Sequence, residues 1–256
     1  MAATAAPVRP AAPAAALLKT EARLMSREPG AIFWIIVFPT ALLTILGLIP
    51  AFREADPELG GRRVIDLYVP VAVLLPMIVA GVQSMPGVLT GYRERGILRR
   101  LRTTPARPGS LLTAQYVLHG AAMLVSVLLA LTVGRLAFDV RLPGQPLGYV
   151  LALLLTALAS LALGSTITAL SRTTKVAQTL GTIVFFPMMF TAGVWAPVQT
   201  MPDALRHIVE LTPLGAASQA LDQAATGHFP SLVHLGVTAL WAALLTGAAV
   251  RWFRWE

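Results

Sequence analysis

Long apolar stretches that no acidic residue interrupts dominate this sequence: Ala31–Ile49, Leu67–Thr90, Leu111–Leu136, Leu147–Leu170, Val176–Val194 and His234–Val250. A helix rises 1.5 Å per residue, so about 20 apolar residues cross the ~30 Å hydrocarbon core of a bilayer. A soluble domain has little use for such runs, because a surface helix buries only one face. Composition closes that route: 56% of the 256 residues are hydrophobic and 12% are charged, against about 25% charged in soluble domains. The expected fold class is all-α integral membrane, with six transmembrane helices.

Charge then orients the bundle. A net charge of +8 on a soluble protein would point to nucleic acid, but here its distribution is a topology signal and no nucleic-acid partner is expected. With six spans, both termini share a side with the 91–110 and 171–175 loops. That side holds fourteen of the 20 Lys and Arg residues, among them Lys19, Arg23, Arg27, Arg93, Arg95, Arg99, Arg100, Arg172, Lys175 and Arg251. The positive-inside bias makes it the cytoplasmic side. Absence of Cys removes disulfides, thiol nucleophiles and Cys-based metal sites. An Arg-, Ala- and Gly-rich composition suggests a high-GC bacterium, and with it the cytoplasmic (inner) membrane.

Three domain-level segments follow. Residues 1–13 are Ala/Pro-rich and expected to be a disordered tail. Residues 14–28 can form an amphipathic helix lying in the membrane interface, with Leu17, Leu18, Leu24 and Met25 on one face and Lys19, Arg23 and Arg27 at its flank; a solvated tail with helical tendency is the plainer alternative. Residues 29–256 form one transmembrane domain. Pro70, Pro76 and Pro86 are expected to bend its second span. Between the fifth and sixth spans, Trp195–Val233 is of intermediate polarity. There Pro202 and Asp203 suit the start of a short helix and Thr212-Pro213 its end, as an interfacial or re-entrant cap on the outer side. Polar residues within the spans are few; His119 is read first as an interhelical hydrogen-bonding group and second as a substrate contact. Gly87 and Gly91 match a small-xxx-small spacing, for which chance is an adequate explanation.

The most charged stretch lies after the second span. Ile97, Leu98 and Leu101 give a short helix one apolar stripe in a basic setting, and Thr104-Pro105 should stop it. Such a helix can rest on anionic lipid, satisfy the positive-inside bias, or dock into a soluble partner. The run Glu94-Arg95-Gly96-Ile97-Leu98-Arg99-Arg100-Leu101-Arg102-Thr103-Thr104-Pro105 resembles the cytoplasmic loop of type-2 ABC exporter permeases, a family that includes the daunorubicin/doxorubicin-type multidrug exporters. Gly193-Val194-Trp195-Ala196-Pro197, with Met201-Pro202 and Thr212-Pro213-Leu214, resembles that family's outer segment. The resemblance implies a coupling helix over 93–105 in which Glu94, Arg95, Gly96, Ile97, Leu98, Arg99 and Leu101 contact the motor. It also implies an outer re-entrant segment marked by Pro197, Pro202 and Pro213. The implied partners are two ABC ATPase subunits carrying ATP and Mg, a second permease subunit (a copy or a related chain), the lipid bilayer and a hydrophobic small-molecule substrate.

The chain has no P-loop, so it is not expected to be an enzyme or to bind a cofactor; ATP hydrolysis is expected on another polypeptide. An ion-coupled secondary transporter needs ionisable groups near the midplane, and no Asp or Glu lies well inside any of the six stretches. A membrane enzyme needs a clustered acid/base or metal set, which four dispersed His residues do not supply. A non-transporting scaffold remains open. The expected function is that of a permease subunit exporting drugs or lipids, with multidrug efflux and antibiotic resistance as the associated roles.

Overall fold

Proline sets the shape of the first two membrane helices. Pro39 and Pro86 lack the N–H that an α-helix donates four residues back, and the proline ring displaces that carbonyl. Each follows a widened turn: Phe33–Val37 and Val79–Ser84 are π-helical, the single-turn bulge by which a helix absorbs such a misfit. Pro70 and Pro76, in contrast, lie within an unbroken α-helical stretch, Val64–Ile78.

The computed structural model describes residues 13–101 and 108–252. Its helices are α1 (Pro13–Met25), α2 (Pro29–Gly47), α3 (Val64–Glu94), α4 (Ile97–Leu101), α5 (Pro108–Phe138), α6 (Pro146–Leu170), α7 (Thr174–Thr191), α8 (Asp203–Glu210), α9 (Pro213–Ala225) and α10 (Leu232–Trp252). A two-residue antiparallel ladder between α2 and α3 pairs β1 (Ala55–Asp56) with β2 (Arg62–Arg63). The tail expected over 1–12, the Thr103-Thr104-Pro105 stop and the residues after Trp252 lie outside the described residues, as does the Leu101 side chain.

Five helices, α2, α3, α5, α6 and α10, are long and apolar enough to cross a membrane. The remaining expected span corresponds to α7, whose 18 residues include Thr174, Lys175, Gln178, Thr179 and Thr182 and so fall short in apolarity. The all-α membrane class stands on those five helices.

The bundle is built around α3. Its apolar window is 83% buried, against 17% for α10 at the periphery. Backbone contact holds it there: a Cβ on Gly164 of α6 would sit 2.0 Å from the Gly81 carbonyl oxygen, and one on Gly81 would sit 2.4 Å from that of Ser160. On the other flank, Gly181 of α7 faces the Val82 carbonyl, the one displaced by Pro86. The π turn of α3 is thus gripped between two helices through glycines, the close approach that replaces the hydrophobic drive inside a bilayer. A Cβ on Gly87, by comparison, would meet nothing within 4 Å, so Gly87 marks no close helix approach. Outward-facing Leu124, Leu128, Leu154, Leu158, Leu240 and Leu244 are exposed on α5, α6 and α10, as lipid-facing surfaces are.

At one end lie α1, α4 and the α6–α7 turn, the basic end; at the other, the β1–β2 ladder and the α8–α9 segment. There Arg62 forms a two-point ion pair with Asp222 of α9, at 2.5 and 3.2 Å. Arg63 bonds both oxygens of Asp66 at 2.8 Å and donates to the Phe138 and Asp139 carbonyls at 3.1 Å.

Candidate functional site

The Glu94-Arg95-Gly96 motif is where α3 ends. The Arg95 amide donates to the Gly91 carbonyl (3.1 Å) and that of Gly96 to Arg93 (3.0 Å), and Gly96 turns out of the helix at φ 68°. Glycine is the residue that takes this left-handed conformation without a Cβ penalty. Arg95 lays its guanidinium over the Tyr92 ring, 5.6 Å from the centroid.

Two neighbouring side chains of α3 then tie together both sides of the α6–α7 turn. Arg93 donates to the Ser171 carbonyl and, at 2.9 Å, to that of Thr168, which also accepts from the Ser171 amide at 3.3 Å where α6 ends. Glu94 accepts from the Thr174 amide (3.0 Å) and hydroxyl (2.7 Å) at the N-terminus of α7. A cation at a helix C-terminus and an anion at a helix N-terminus each meet the favourable end of the helix dipole. Thr173 completes the cap by accepting from the Val176 amide at 3.3 Å.

The expected 93–105 helix is therefore divided. Arg93 and Glu94 belong to α3, and the helix that follows Gly96 begins at Ile97. Two of its apolar side chains face the chain's own bundle: Leu98 is 2% exposed and belongs to the core cluster that also holds Tyr92 and Leu111, with Ile97 half-buried against it. Leu98 is thus turned toward the bundle, and Arg99 and Arg100 are on the exposed side of α4.

A cavity of about 360 Å³ opens beside this end, walled by α1, the start of α2, the last turns of α3, α5 and the first turn of α7. Glu21 of α1 lines it, 6% exposed, and its Oε2 accepts from the Tyr92 hydroxyl (2.8 Å) and the Gln115 amide (2.7 Å). Burial raises the Glu21 carboxyl above its ordinary value, against the lowering effect of both hydrogen bonds. On the cavity wall, His119 Nδ1 lies 3.0 Å from the Gln115 carbonyl and Nε2 lies 3.2 Å from the Ser84 hydroxyl. A carbonyl only accepts, so Nδ1 donates and neutral His119 accepts from Ser84 through Nε2. His119 is thus an interhelical linker between α5 and α3, the first of its two readings.

Pro197, Pro202 and Pro213 fall on three separate turns. Pro197 accepts from the Thr200 amide (2.9 Å) in a 3₁₀ turn, Pro202 precedes α8, and Pro213 is the first residue of α9, capped by Thr212, whose hydroxyl accepts from the Gly215 amide at 3.1 Å. Pro213 opens a 13-residue, mostly buried helix within the Trp195–Val233 segment, a second helix after the one expected there. Ser/Thr-Pro is a helix-start signal as well as a stop, and the small-residue run Gly215-Ala216-Ala217-Ser218 suits close packing on α6 and α10. Trp241 Nε1 donates to the Leu211 carbonyl at 2.9 Å. This anchors the α8–α9 turn beside α10 about 14 Å along from its Leu232 start at 1.5 Å per residue.

Sequence reasoning missed Glu21 and Asp222. Leu17, Glu21 and Met25 lie four residues apart, so Glu21 interrupts the apolar face of α1; that lone acid was the readable signal. Asp222 pairs with Arg62 across 160 residues, and no local pattern announces such a partner.

Five helices long and apolar enough to cross a membrane mark the chain as a multi-pass membrane protein. Residues 14–224 match the ABC-2 type transporter family, and the chain belongs to that family. It is the transmembrane permease component of an ABC exporter, in a family whose permeases normally pair with ATPase subunits. No curated protein matches the sequence.

Proposed function

We propose that the chain is half of a bacterial inner-membrane exporter of the daunorubicin/doxorubicin type, moving hydrophobic or amphiphilic compounds with power from two ATPase subunits that bind ATP and Mg. The observation that carries this reading is the Arg93/Glu94 tie. Force applied at α4 reaches α3 through the chain and α6 and α7 through those two side chains, so a push on one short helix displaces three membrane helices together. The motor-facing surface on this reading is the outward side of α4, with Arg99 and Arg100, while Glu94, Arg95, Gly96, Ile97 and Leu98 fix its position. Leu101 continues the same short helix.

Six crossings, with α7 as the fifth, put both termini and α4 in the cytoplasm, in keeping with the distribution of Lys and Arg. The α8–α9 segment is then a re-entrant outer cap, with Pro197, Pro202 and Pro213 at its corners. The α7 face bearing Lys175, Gln178, Thr179 and Thr182 is exposed on the single chain. Lipid is a poor solvent for an amide, which supports a second permease subunit, or a wet path shared with it, against that face.

The test is co-purification with a candidate ATPase in nanodiscs, reading substrate-stimulated ATP hydrolysis. Arg99→Glu and Arg100→Glu should reduce stimulation at least tenfold while the permease keeps its unfolding temperature. Stimulation unchanged in both variants would remove α4 as the coupling element.

A further inference from the structure

The cavity beside α1 holds a feature that the coupling role leaves unused, a buried carboxylate with no cationic partner among the described residues. Glu21 takes only the neutral donors Tyr92 and Gln115, both on the same oxygen. Arg95, the basic side chain on the cavity wall, is directed elsewhere, stacking on Tyr92 and donating to the Gly91 carbonyl at 3.1 Å. Glu28, Ser84, His119, Thr174 and Gln178 are the other ionisable or polar groups nearby, and His119 is occupied by Gln115 and Ser84. The apolar part of the wall is formed by Leu24, Met25, Ala31 and Val88.

A carboxyl fixed in orientation by two donors, in a chamber of about 360 Å³ with an apolar flank of Leu24, Met25, Ala31 and Val88, is complementary to one ligand chemistry. We propose that this cavity binds an amphiphilic amine, with the ammonium on the Glu21 carboxylate and the first part of its hydrocarbon against Leu24, Met25 and Val88. A charge-assisted bond away from bulk water is the strong kind, and convergent polar groups in an otherwise apolar pocket are the usual form of a small-molecule site. Burial favours the neutral carboxyl when the cavity is empty; an arriving cation restores the charge. Naming this ligand as cargo rests on the exporter reading, whereas the binding itself does not.

The probe is a dansyl-labelled dodecyl chain ending in a primary amine, compared with the same chain ending in a hydroxyl. The full-length permease is held in phosphatidylcholine nanodiscs, and fluorescence titrations are corrected with empty discs. The amine should bind at least tenfold more tightly than the alcohol. Glu21→Gln keeps an oxygen that can accept from Tyr92 and Gln115 and loses only the charge, so it should abolish the preference. Gly87→Leu projects into the cavity from a position with no neighbour within 4 Å; it should weaken both probes without touching Glu21. Equal affinity for the two probes overturns the site, as does a preference that survives Glu21→Gln or binding unchanged in Gly87→Leu. With ATPase added, Glu21-dependent binding that leaves hydrolysis unstimulated keeps the site and removes the cargo assignment. Stimulation with no Glu21-dependent binding does the reverse.

Discussion

Gly164→Ala is the sharpest test of how the bundle is held together. The new methyl would lie 2.0 Å from the Gly81 carbonyl oxygen and 2.9 Å from Met85 Cε. The first contact is about 1.5 Å short of an ordinary van der Waals separation. Met85 can swing away, but the oxygen belongs to the backbone of α3, which is held on its far side by Gly181. Overpacking a tight core costs about 1–3 kcal/mol, and backbone against backbone belongs at the upper end. Alanine recovers about 1 kcal/mol of helix propensity, leaving a net destabilisation of about 2 kcal/mol. For a chain of this size that corresponds to a fall in unfolding temperature of about 4–8 °C. Gly87→Ala is the matched control, because its methyl enters open space and only the propensity gain remains. Thermal unfolding of both variants, followed by tryptophan fluorescence in one detergent, should move in opposite directions. A Gly164→Ala protein that melts with the wild type, or a Gly87→Ala protein that falls equally, would refute α3–α6 backbone contact as the organising feature.

Three further outcomes are expected. Leu98→Asp places an unpaired carboxylate among Tyr92 and Leu111, so it should lower the yield of folded permease, whereas Arg99→Glu should not; size-exclusion profiles separate them. Because the Glu21 carboxyl is raised in the folded state, folding favours its protonated form. The associated stability is complete below the ordinary value of 4.5 and declines as pH rises through the higher folded value; Glu21→Gln should flatten the unfolding-temperature profile across that window, and an unchanged profile would exclude Glu21 as its source. Arg62 and Asp222 should show a coupling of about 1–2 kcal/mol in a double-mutant cycle, and either single variant should speed hydrogen exchange across β1–β2. Additive effects in that cycle would mean that the pair does not secure the ladder.

Hydropathy made the membrane class legible because lipid imposes a length and an apolarity that local sequence must satisfy. It was least informative for α7 and α9, whose polar and small residues answer to neighbouring protein more than to lipid. Pro213 shows the ambiguity at one residue: the same Thr-Pro step closes α8 and opens α9, and a sequence window cannot tell whether a packing partner awaits the second helix. The π turns before Pro39 and Pro86 were similarly hidden, since proline announces a misfit without stating how the helix absorbs it.

The Glu-Arg-Gly motif separates recognition from role. Its pattern marked the loop, while the roles of its residues depend on a turn some 80 positions later in the chain, where Thr174 meets Glu94 and Ser171 meets Arg93. A stripe of Ile97, Leu98 and Leu101 on a short basic helix reads as a docking face when the helix is imagined alone. Set on the bundle, Leu98 needs apolar neighbours, and the core cluster that also holds Tyr92 supplies them. Burying Leu98 costs the helix its greasiest outward contact but fixes α4 to the end of α3. A lever that transmits force must be held more firmly by the body it moves than by the hand that pushes it. On the proposed coupling role of α4, an inward Leu98 beside an outward Arg99 meets this requirement, and comparing Leu98→Asp with Arg99→Glu separates the holding contact from the pushing one.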